Sequence, residues 1–415
     1  MRGARGVVRG AHESIGQKAV SLQIYDRRER TIVTAADAVL AVGSAIARPF
    51  RHREKPKRPR RILLLRLERI GDLLMALPGI AAVRSLAPDA TIDLVVGSWN
   101  EELARAIPAV NRVETLDARW LARDGGGVDL PGLLRRGAAW RAHRYDLAIN
   151  FEPDVRSNLL IATVNAGWTA GYRSGGGGPL LDQALDYDPR AHTSDNARRL
   201  VEEVLGTAAA AAPGPLLAIP EEHRRRARAI IGTAARPLVA VHVSGGRPVK
   251  QWDPDRFAEV AHRLSTTRGA TILLTGSRED RPLIDQVRRG LPAIAVIDAS
   301  GEDSLLTLAA LLNEVELLIT GDTGPMHVAA AVGTPIVAVF GPSDPRRYAP
   351  RGPLDQVVRV DLPCAPCNRI RLPPARCTGI TPDCLALVSA DRVFDVAAAV
   401  LDQCFSRGHA RNASA

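Results

Sequence analysis

The chain has 415 residues, enough for two domains of ordinary size, each with its own hydrophobic core. Its net charge of +10 lies entirely in residues 1–61, which hold 15 Lys and Arg but only 5 Asp and Glu. Because a nucleic-acid enzyme more often spreads its positive charge over a folded face, this distribution disfavours a nucleic-acid partner.

The first 60 residues form a basic N-terminal extension. Residues 1–29 are rich in Arg and Gly and lack apolar periodicity, so we predict disorder there. Residues 31–47 have apolar side chains near helical spacing, and a polybasic run follows at 48–61. Two interpretations stay open. In the first, residues 31–61 contact an anionic membrane surface as a weakly amphipathic helix with a basic flank. In the second, the helix packs on the folded body and the basic run is a solvated linker.

The sequence has the features of a cytoplasmic protein. It contains no run of about 18 uninterrupted apolar residues, which a membrane-spanning helix requires. Its five cysteines, an odd number, do not indicate the disulfide framework of a secreted protein. We therefore predict a cytoplasmic location, with peripheral attachment to the inner face of the inner membrane under the first interpretation of the extension.

From residue 62 onward, short apolar runs typical of buried strands alternate with helical segments. These runs lie at 62–67, 91–97 and 145–151 in a first series and at 237–246, 270–277, 293–298, 315–322 and 335–344 in a second. The segment 208–220, rich in Ala and Pro, predicts a linker between the series. We predict an α/β protein with two Rossmann-like parallel-sheet domains, residues 61–215 and 216–388, that face each other across a cleft. A C-terminal helix and tail follow at 389–415.

Asp72 is the first candidate functional residue. In the segment RLERIGDLLMALPGI it follows a strand and the turn at Gly71, and it opens a helix at the carboxyl edge of the sheet, where α/β proteins bind ligands. A lone Asp at this position more often caps the helix and interacts with its dipole, worth about 0.3–1 kcal/mol. A role as general base therefore needs further support.

The second candidate stretch is VHVSGGRPVKQWDPDRF. Ser244, Gly245 and Gly246 follow a strand, and the glycines allow backbone amides to approach an anion, with Lys250 as a nearby positive charge. We predict a phosphate cradle that is neither a Walker A loop nor a dinucleotide-binding fingerprint. Asp253 then predicts the N-cap of a helix that begins at the following proline.

The third stretch is GDTGPMHVAAAVG, which follows an apolar strand and begins with Asp322, Thr323 and Gly324. We predict that Pro325 opens a helix whose free N–H groups and dipole favour an anion, and that His327 donates a hydrogen bond to the same anion. A structural histidine is the alternative. Two anion cradles in one domain predict a diphosphate held by protein groups alone.

Asp280 is a further candidate. It lies beside Glu279 in TGSREDRPL, at the end of another strand of the second series, where both carboxylates would be available to a ribose diol. The alternative is an exposed acidic residue at the start of a helix.

Four cysteines, Cys364, Cys367, Cys377 and Cys384, form a C-x2-C-x9-C-x6-C pattern within the loop 364–384. This spacing is compatible with a tetrahedral zinc, which would be structural because the cysteines fill all four positions. The second pair lacks the tight C-x-x-C knuckle, so a Pro-rich loop of reduced thiols is the alternative. We predict no metal in the active site and no cofactor.

Five segments resemble glycosyltransferase family 9, the ADP-heptose:lipopolysaccharide heptosyltransferases. In order along the chain they are RLERIGDLLMALPGI, GYRSGG, HVSGG with KQWDPDRF, TGSRED and GDTGPMHVAAAVGTPIVAVFGPSDP. The resemblance covers residues 60–404. It implies the GT-B fold of two Rossmann-like domains, an inverting and metal-independent transfer, and a nucleotide-diphosphate sugar donor held mainly by the second domain.

The resemblance also implies roles for single residues. Asp72 matches the catalytic base, Lys250 the phosphate-binding lysine, and Asp280 an acidic residue on the nucleotide ribose. The block that holds the donor sugar and diphosphate is matched by Asp322, Thr323, Gly324 and His327. The sequence departs from the family at Ser244, where glycine is common, and in residues 1–60, which have no counterpart.

We therefore predict the transfer of heptose from ADP-heptose to a lipid-linked saccharide acceptor of the lipopolysaccharide inner core. One alternative is a GT-B transferase that uses another nucleotide sugar for surface glycan synthesis, and another is a non-catalytic member that only binds nucleotide sugar. The presence of Asp72, Lys250 and His327 argues against the non-catalytic alternative. A nucleotide-sugar epimerase would need further acidic residues in the cleft.

Overall fold

The computed structural model describes residues 22–24, 26–47, 53–121, 126–210, 215–291 and 294–412. In this described part, twelve strands form two six-stranded sheets, and all neighbouring strands within each sheet are parallel. The predicted α/β fold with two Rossmann-like sheets is confirmed.

An N-terminal helix, α1 (Arg27–Ala47), precedes the first domain. The strands of the first domain are β1 (Arg61–Arg66), β2 (Thr91–Val96), β3 (Arg112–Thr115), β4 (Leu147–Asn150), β5 (Trp168–Tyr172) and β6 (Gln183–Leu185), arranged in the order β3-β2-β1-β4-β5-β6. Its helices are α2 (Ile70–Leu86), α3 (Glu101–Arg105), α4 (Leu130–Ala139), α5 (Val155–Thr163) and α6 (Thr193–Leu205).

The second domain repeats this architecture. Its strands are β7 (Leu238–His242), β8 (Thr271–Thr275), β9 (Val296–Asp298), β10 (Leu317–Gly321), β11 (Ile336–Val339) and β12 (Gln356–Val358), in the order β12-β11-β10-β7-β8-β9. Its helices are α7 (Glu221–Ile231), α8 (Pro254–Arg268), α9 (Arg281–Arg289), α10 (Leu305–Glu314), α11 (Gly324–Val332), α12 (Pro345–Tyr348), α13 (Asp383–Ala386) and α14 (Ala390–Asn412). The C-terminal helix α14 packs on α8 and on β10 to β12.

The central strands are buried on both faces, which explains why they read as continuous apolar runs. In β1, Leu63, Leu64 and Leu65 are at most 1% exposed. Parallel pairing with β2 and β4 places Leu64 beside Leu94 and Ile149. Helices cover both faces of such a sheet, so neither face is left for polar side chains.

Two local predictions can be compared with the observed helices. Asp253 caps α8, accepting a hydrogen bond from Asp255 N at 2.9 Å, and the helix begins at Pro254 as predicted. The predicted disorder over residues 1–29 is wrong for residues 27–29, which form the first turn of α1. Residues 1–21 and 25 lie outside the described residues. None of the helices in the described ranges is long and apolar enough to cross a membrane.

The two domains contact each other at several places. The Glu102 carboxylate in α3 accepts hydrogen bonds from Leu305 N at 2.8 Å and from the Ser304 hydroxyl, so a residue of the first domain caps α10 of the second. Arg351 pairs with Asp195 at 2.8 Å. Between these contacts, α2 packs against α11. The helices that follow β1 and β10 therefore meet between the two sheets.

Candidate active site

Asp72 lies in the first turn of α2, directly after β1 and a short loop. Its carboxylate accepts a hydrogen bond from Arg69 N at 3.2 Å and pairs with the Arg66 guanidinium at 3.4 Å. Arg66 is 4% exposed and also donates to Phe151 O at 2.7 Å. The Asp72 side chain keeps 30% exposure. The expected capping contact is present, and the same carboxylate is held in place with one side open to solvent.

Thr323 is the N-cap of α11, and its hydroxyl accepts a hydrogen bond from Met326 N at 3.4 Å. The first helical residue is Gly324, so the prediction that Pro325 opens the helix is wrong by one residue. Proline is tolerated there because the first-turn N–H groups have no partner inside the helix. Because Pro325 has no N–H and Met326 N bonds to Thr323, the N–H of Gly324 is the donor that this turn leaves available to a ligand.

Lys250 and Asp322 form an ion pair at the carboxyl edge of the second sheet. The Lys250 Nζ atom lies 2.8 Å from Asp322 Oδ2, which also accepts a hydrogen bond from the Ser343 hydroxyl. The two side chains are 19% and 10% exposed. Burial would raise the pKa of Asp322, but the Lys250 ammonium and both hydrogen bonds outweigh it and lower the pKa below its ordinary value. Asp322 is therefore ionised at neutral pH.

The His327 imidazole lies between the two domains and is 8% exposed. A Cβ atom added to Gly71 would lie only 2.6 Å from His327 Cδ2, so the close approach of the two helices requires glycine at this position. Burial lowers the pKa of His327, although the Asp322 and Asp72 carboxylates act in the opposite direction. The neutral ring keeps one N–H donor. Since Gly71, the neighbour of Asp72 in the chain, lies against the His327 ring, Asp72 and the block 322–327 belong to one site.

The turn of Ser244, Gly245 and Gly246 follows β7. A Cβ atom on Gly245 would lie 2.8 Å from Gln251 N, and Gly246 has a φ of 64°. Both positions therefore favour glycine, as expected for a turn whose backbone folds tightly. The Ser244 hydroxyl accepts a hydrogen bond from Gly246 N at 3.3 Å.

Asp280 follows β8 and adjoins the Ser244 turn. Its carboxylate accepts hydrogen bonds from Ser277 N at 2.9 Å and from the Ser277 hydroxyl at 2.8 Å. Burial raises the pKa of Asp280, but these hydrogen bonds outweigh it and lower the pKa below its ordinary value. The carboxylate is a local cap, and it also lies next to the loop predicted to bind phosphate.

Sequence reasoning missed two acidic residues at the edge of the first sheet, Glu68 and Glu152. Glu152 follows β4, is 1% exposed, and accepts hydrogen bonds from Leu67 N and, at 3.0 Å, from Glu68 N. It thereby holds the loop that precedes Asp72. Burial raises the pKa of Glu152, and the Glu68 carboxylate raises it further. Its position directly after a predicted strand was the available signal, the same one that identified Asp72.

We expect the free energy of unfolding of Glu152→Gln to depend less on pH than that of the unmodified protein. Because folding raises the pKa of Glu152, its contribution to stability is present below the unfolded pKa of 4.5 and is lost as pH rises through the folded value. Each unit of difference corresponds to about 1.4 kcal/mol. Glutamine keeps an acceptor for Leu67 N and Glu68 N. Denaturant unfolding from about pH 5 to about pH 9 measures the effect, and parallel curves would contradict it.

The four loop cysteines, Cys364, Cys367, Cys377 and Cys384, line one cavity of about 180 Å³. All are free thiols, and burial raises the pKa of Cys384 to about 11, with a further contribution from the other three. Among the described residues, no group of three or more His, Cys, Asp or Glu is arranged to hold a metal ion. Free thiols are compatible with both interpretations, so the zinc site and the alternative of a loop of reduced thiols both stay predictions.

Comparison with known proteins identifies the family. The profile of glycosyltransferase family 9 (heptosyltransferase) matches residues 134–373, more than half of the chain. The chain belongs to glycosyltransferase family 9. It is 26% identical to lipopolysaccharide heptosyltransferase 2 of Salmonella typhimurium over 317 residues, which cover 72% of this chain and 88% of that protein.

Two solved structures extend the comparison to both domains of this glycosyltransferase. A glycosyltransferase family 9 protein from Veillonella parvula is similar with a TM-score of 0.71 and 25% identity over 83% of this chain and 98% of that one. The E. coli ADP-heptose lps heptosyltransferase II is similar with a TM-score of 0.66 and 22% identity over 83% and 99%. The predicted GT-B fold and glycosyltransferase activity are therefore confirmed. The profile begins after Asp72, so the role of this residue depends on the geometry of the site.

Proposed function

We propose that this glycosyltransferase moves heptose from ADP-heptose to a lipid-linked saccharide of the lipopolysaccharide inner core, with inversion at the anomeric carbon. The observation that carries the proposal is the meeting of α2 and α11, which sets Asp72 of one domain beside His327 of the other. The Salmonella relative bears the name of a lipopolysaccharide heptosyltransferase, and the E. coli structure that of an ADP-heptose transferase. These names support the choice of donor and acceptor.

Asp72 acts as the general base in this proposal. Its carboxylate accepts the proton of the acceptor hydroxyl while the oxygen of that hydroxyl attacks the anomeric carbon from the face opposite the diphosphate. The new carbon–oxygen bond forms as the bond from the anomeric carbon to the phosphate oxygen breaks, and ADP leaves with the electron pair. Arg66 orients the carboxylate through their 3.4 Å ion pair.

Groups of the second domain stabilise the leaving diphosphate. The N–H of Gly324 at the start of α11 and the positive charge of Lys250 attract it, and the neutral His327 ring donates a hydrogen bond. The turn 244–246 supplies the second anion cradle. Asp322 orients the hydroxyls of the donor sugar, and Asp280 binds the ribose.

The proposed transfer uses no metal ion, because these cationic and N–H groups neutralise the developing charge. Asp186 and Asp188 follow β6 as an Asp-x-Asp pair of the type that ligates divalent cations. Each has a protein partner: Asp186 pairs with Arg173 at 2.7 Å, and Asp188 accepts a hydrogen bond from Arg190 N at 2.8 Å. Both carboxylates thus serve local structure beside β6.

The donor is tested by thermal unfolding of the full chain with ADP-heptose and with UDP- and GDP-sugars, in buffer containing EDTA. A ligand that binds only the folded state stabilises it by about 2.7 kcal/mol at a concentration of 100 Kd. We expect ADP-heptose to raise Tm and the UDP- and GDP-sugars to leave it unchanged. A preference for UDP- or GDP-sugars would refute the donor, and a shift that needs added divalent cation would refute metal-independent binding.

We further propose that the enzyme works in the cytoplasm at the inner face of the inner membrane, through peripheral contact by residues 31–61. A lipid-linked acceptor is held in a bilayer, so its saccharide is reached at a membrane surface. The net charge of +10 in residues 1–61 favours association with anionic lipid.

A further inference from the structure

The helix α1 is attached to the first domain by one face only. This face consists of Val33, Asp37, Leu40 and Ser44, which are buried or half-buried and follow one another at helical spacing. Val33 packs on the Gly-rich loop 174–181, Asp37 accepts a hydrogen bond from a backbone N–H of that loop at 2.7 Å, and Ser44 donates to a backbone carbonyl of it at 2.5 Å. These contacts fix how α1 is rotated about its own axis.

The opposite face of α1 is apolar and open. Its large side chains, which we call the outer stripe, are Ile32, Val39, Val42 and Ile46, exposed by 68%, 73%, 62% and 66%. The described part of the chain has nine exposed large apolar side chains, and four of them lie on this one helix face. They therefore form an apolar patch, unlike isolated exposed residues, which are common on protein surfaces. Because the attached face is fixed, the outer stripe cannot turn inward.

Basic residues flank the outer stripe in the sequence. Arg27, Arg28 and Arg30 are exposed in the first turn of α1, and Lys57 and Arg58 are exposed after its C-terminal end. An apolar helix face with flanking cations is typical of a helix that lies in the interface of an anionic bilayer. Pairing of two outer stripes would bring together two copies of the extension, each with a net charge of +10 in residues 1–61, which charge repulsion opposes. The charge distribution therefore selects lipid over a second copy of the chain.

The N-terminal end of α1 lies near the carboxyl edge of the first sheet. Glu29 is 3.9 Å from the Arg156 guanidinium, which pairs with Asp154 at 2.7 Å. Asp154 follows Glu152, whose carboxylate holds the loop before Asp72. A bilayer against the outer stripe would thus adjoin the side of the first domain that carries the candidate base.

We propose that the outer stripe of α1 binds the surface of an anionic bilayer and thereby holds the carboxyl edge of the first sheet beside membrane-embedded acceptors. The naming of the acceptor rests on the proposed function. Membrane contact by residues 31–61 is also part of that proposed function, and the inference here deepens it by naming the side chains of α1 that make the contact.

The proposal is tested by cosedimentation of the full chain with vesicles of phosphatidylcholine alone and of phosphatidylcholine mixed with phosphatidylglycerol. We expect stronger binding to the anionic vesicles, weakened by added salt. The double variant Val39→Gln/Ile46→Gln, which leaves the charge unchanged, should bind at least about tenfold more weakly because two inserted apolar side chains are lost. Leu387→Gln removes a side chain of 60% exposure outside α1 and should bind as the unmodified protein does.

The outcomes separate this proposal from the enzymatic one, because vesicle binding is measured without substrate. Equal binding by Val39→Gln/Ile46→Gln and the unmodified protein would overturn the role of the outer stripe, as would equal binding to neutral and anionic vesicles. Dimerisation in light scattering that the double variant abolishes, without vesicle binding, would assign the stripe to a second copy. Unchanged Tm of the variants shows that α1 remains folded against its domain.

Discussion

Replacing Asp72 with Asn is expected to lower kcat by about 10²- to 10⁴-fold, the usual contribution of a general base. Asparagine has the same shape and still accepts the hydrogen bond from Arg69 N, but it does not accept a proton at neutral pH. The KM for the donor should change little, because the groups proposed to bind the donor lie in the second domain. Steady-state kinetics with acceptor saccharide, together with calorimetric binding of ADP, measures both effects.

Glu68→Gln is the matched control for this experiment. Glu68 pairs with the same Arg66 guanidinium, at 3.0 Å, so its neutralisation disturbs that ion pair while leaving Asp72 ionisable. We expect a loss in kcat of less than about tenfold, since only positioning is affected. If Glu68→Gln lost as much activity as Asp72→Asn, the pairing with Arg66 rather than proton acceptance would explain the effect. Full activity of Asp72→Asn would eliminate the base assignment altogether.

Replacing Lys250 with Met is expected to reduce both stability and ligand affinity. The substitution leaves the buried Asp322 carboxylate without its 2.8 Å partner, at a cost of about 3 kcal/mol of folding free energy. It also removes a charged partner of the diphosphate, worth about 1.5–3 kcal/mol, or roughly 10- to 100-fold in the Kd of ADP. Denaturant unfolding and calorimetry with ADP give the two quantities separately.

The double variant Lys250→Met/Asp322→Asn separates the two roles of Lys250. Asparagine removes the uncompensated charge and keeps an acceptor for the Ser343 hydroxyl, so most of the lost stability should return. The affinity for ADP should stay low, because the cation is still missing and ADP carries no heptose for residue 322 to orient. Restored ADP affinity would show that Lys250 only pairs with Asp322 and does not bind phosphate.

The fold could be predicted from the sequence because its signals are local. Eight of the twelve strands, such as β1 with Leu63 to Leu65, coincide with apolar runs in the sequence, whereas β3, β5, β6 and β12 do not. The turns before α8 and α11 carry the capping residues Asp253 and Thr323. Alternation of these units leaves few arrangements other than parallel sheets covered by helices. The start of α1 was misplaced because its first turn, rich in Arg and Glu, lacks apolar residues.

The site was only partly predictable, because its remaining parts depend on contacts between distant segments. The burial of Arg66 and of Glu152 results from the packing of β1 beside β4, and no short motif reports that a charged side chain will be enclosed. The contact of Gly71 with His327 joins two domains and has no counterpart in local spacing. Likewise, the glycines at 175–178 gave no indication that they form the surface on which α1 lies.

The approach of α2 and α11 has a thermodynamic consequence. Each helix presents its N-terminal end, equivalent to about half a positive charge, toward the other, so an anion between them is attracted by both domains at once. The affinity for that anion and the tendency of the domains to stay together are then linked quantities. By linkage, the factor by which the bound anion favours contact between the domains equals the factor by which that contact raises the affinity for the anion. Under the proposed function, in which this anion is the diphosphate, product release and separation of the two domains are coupled equilibria.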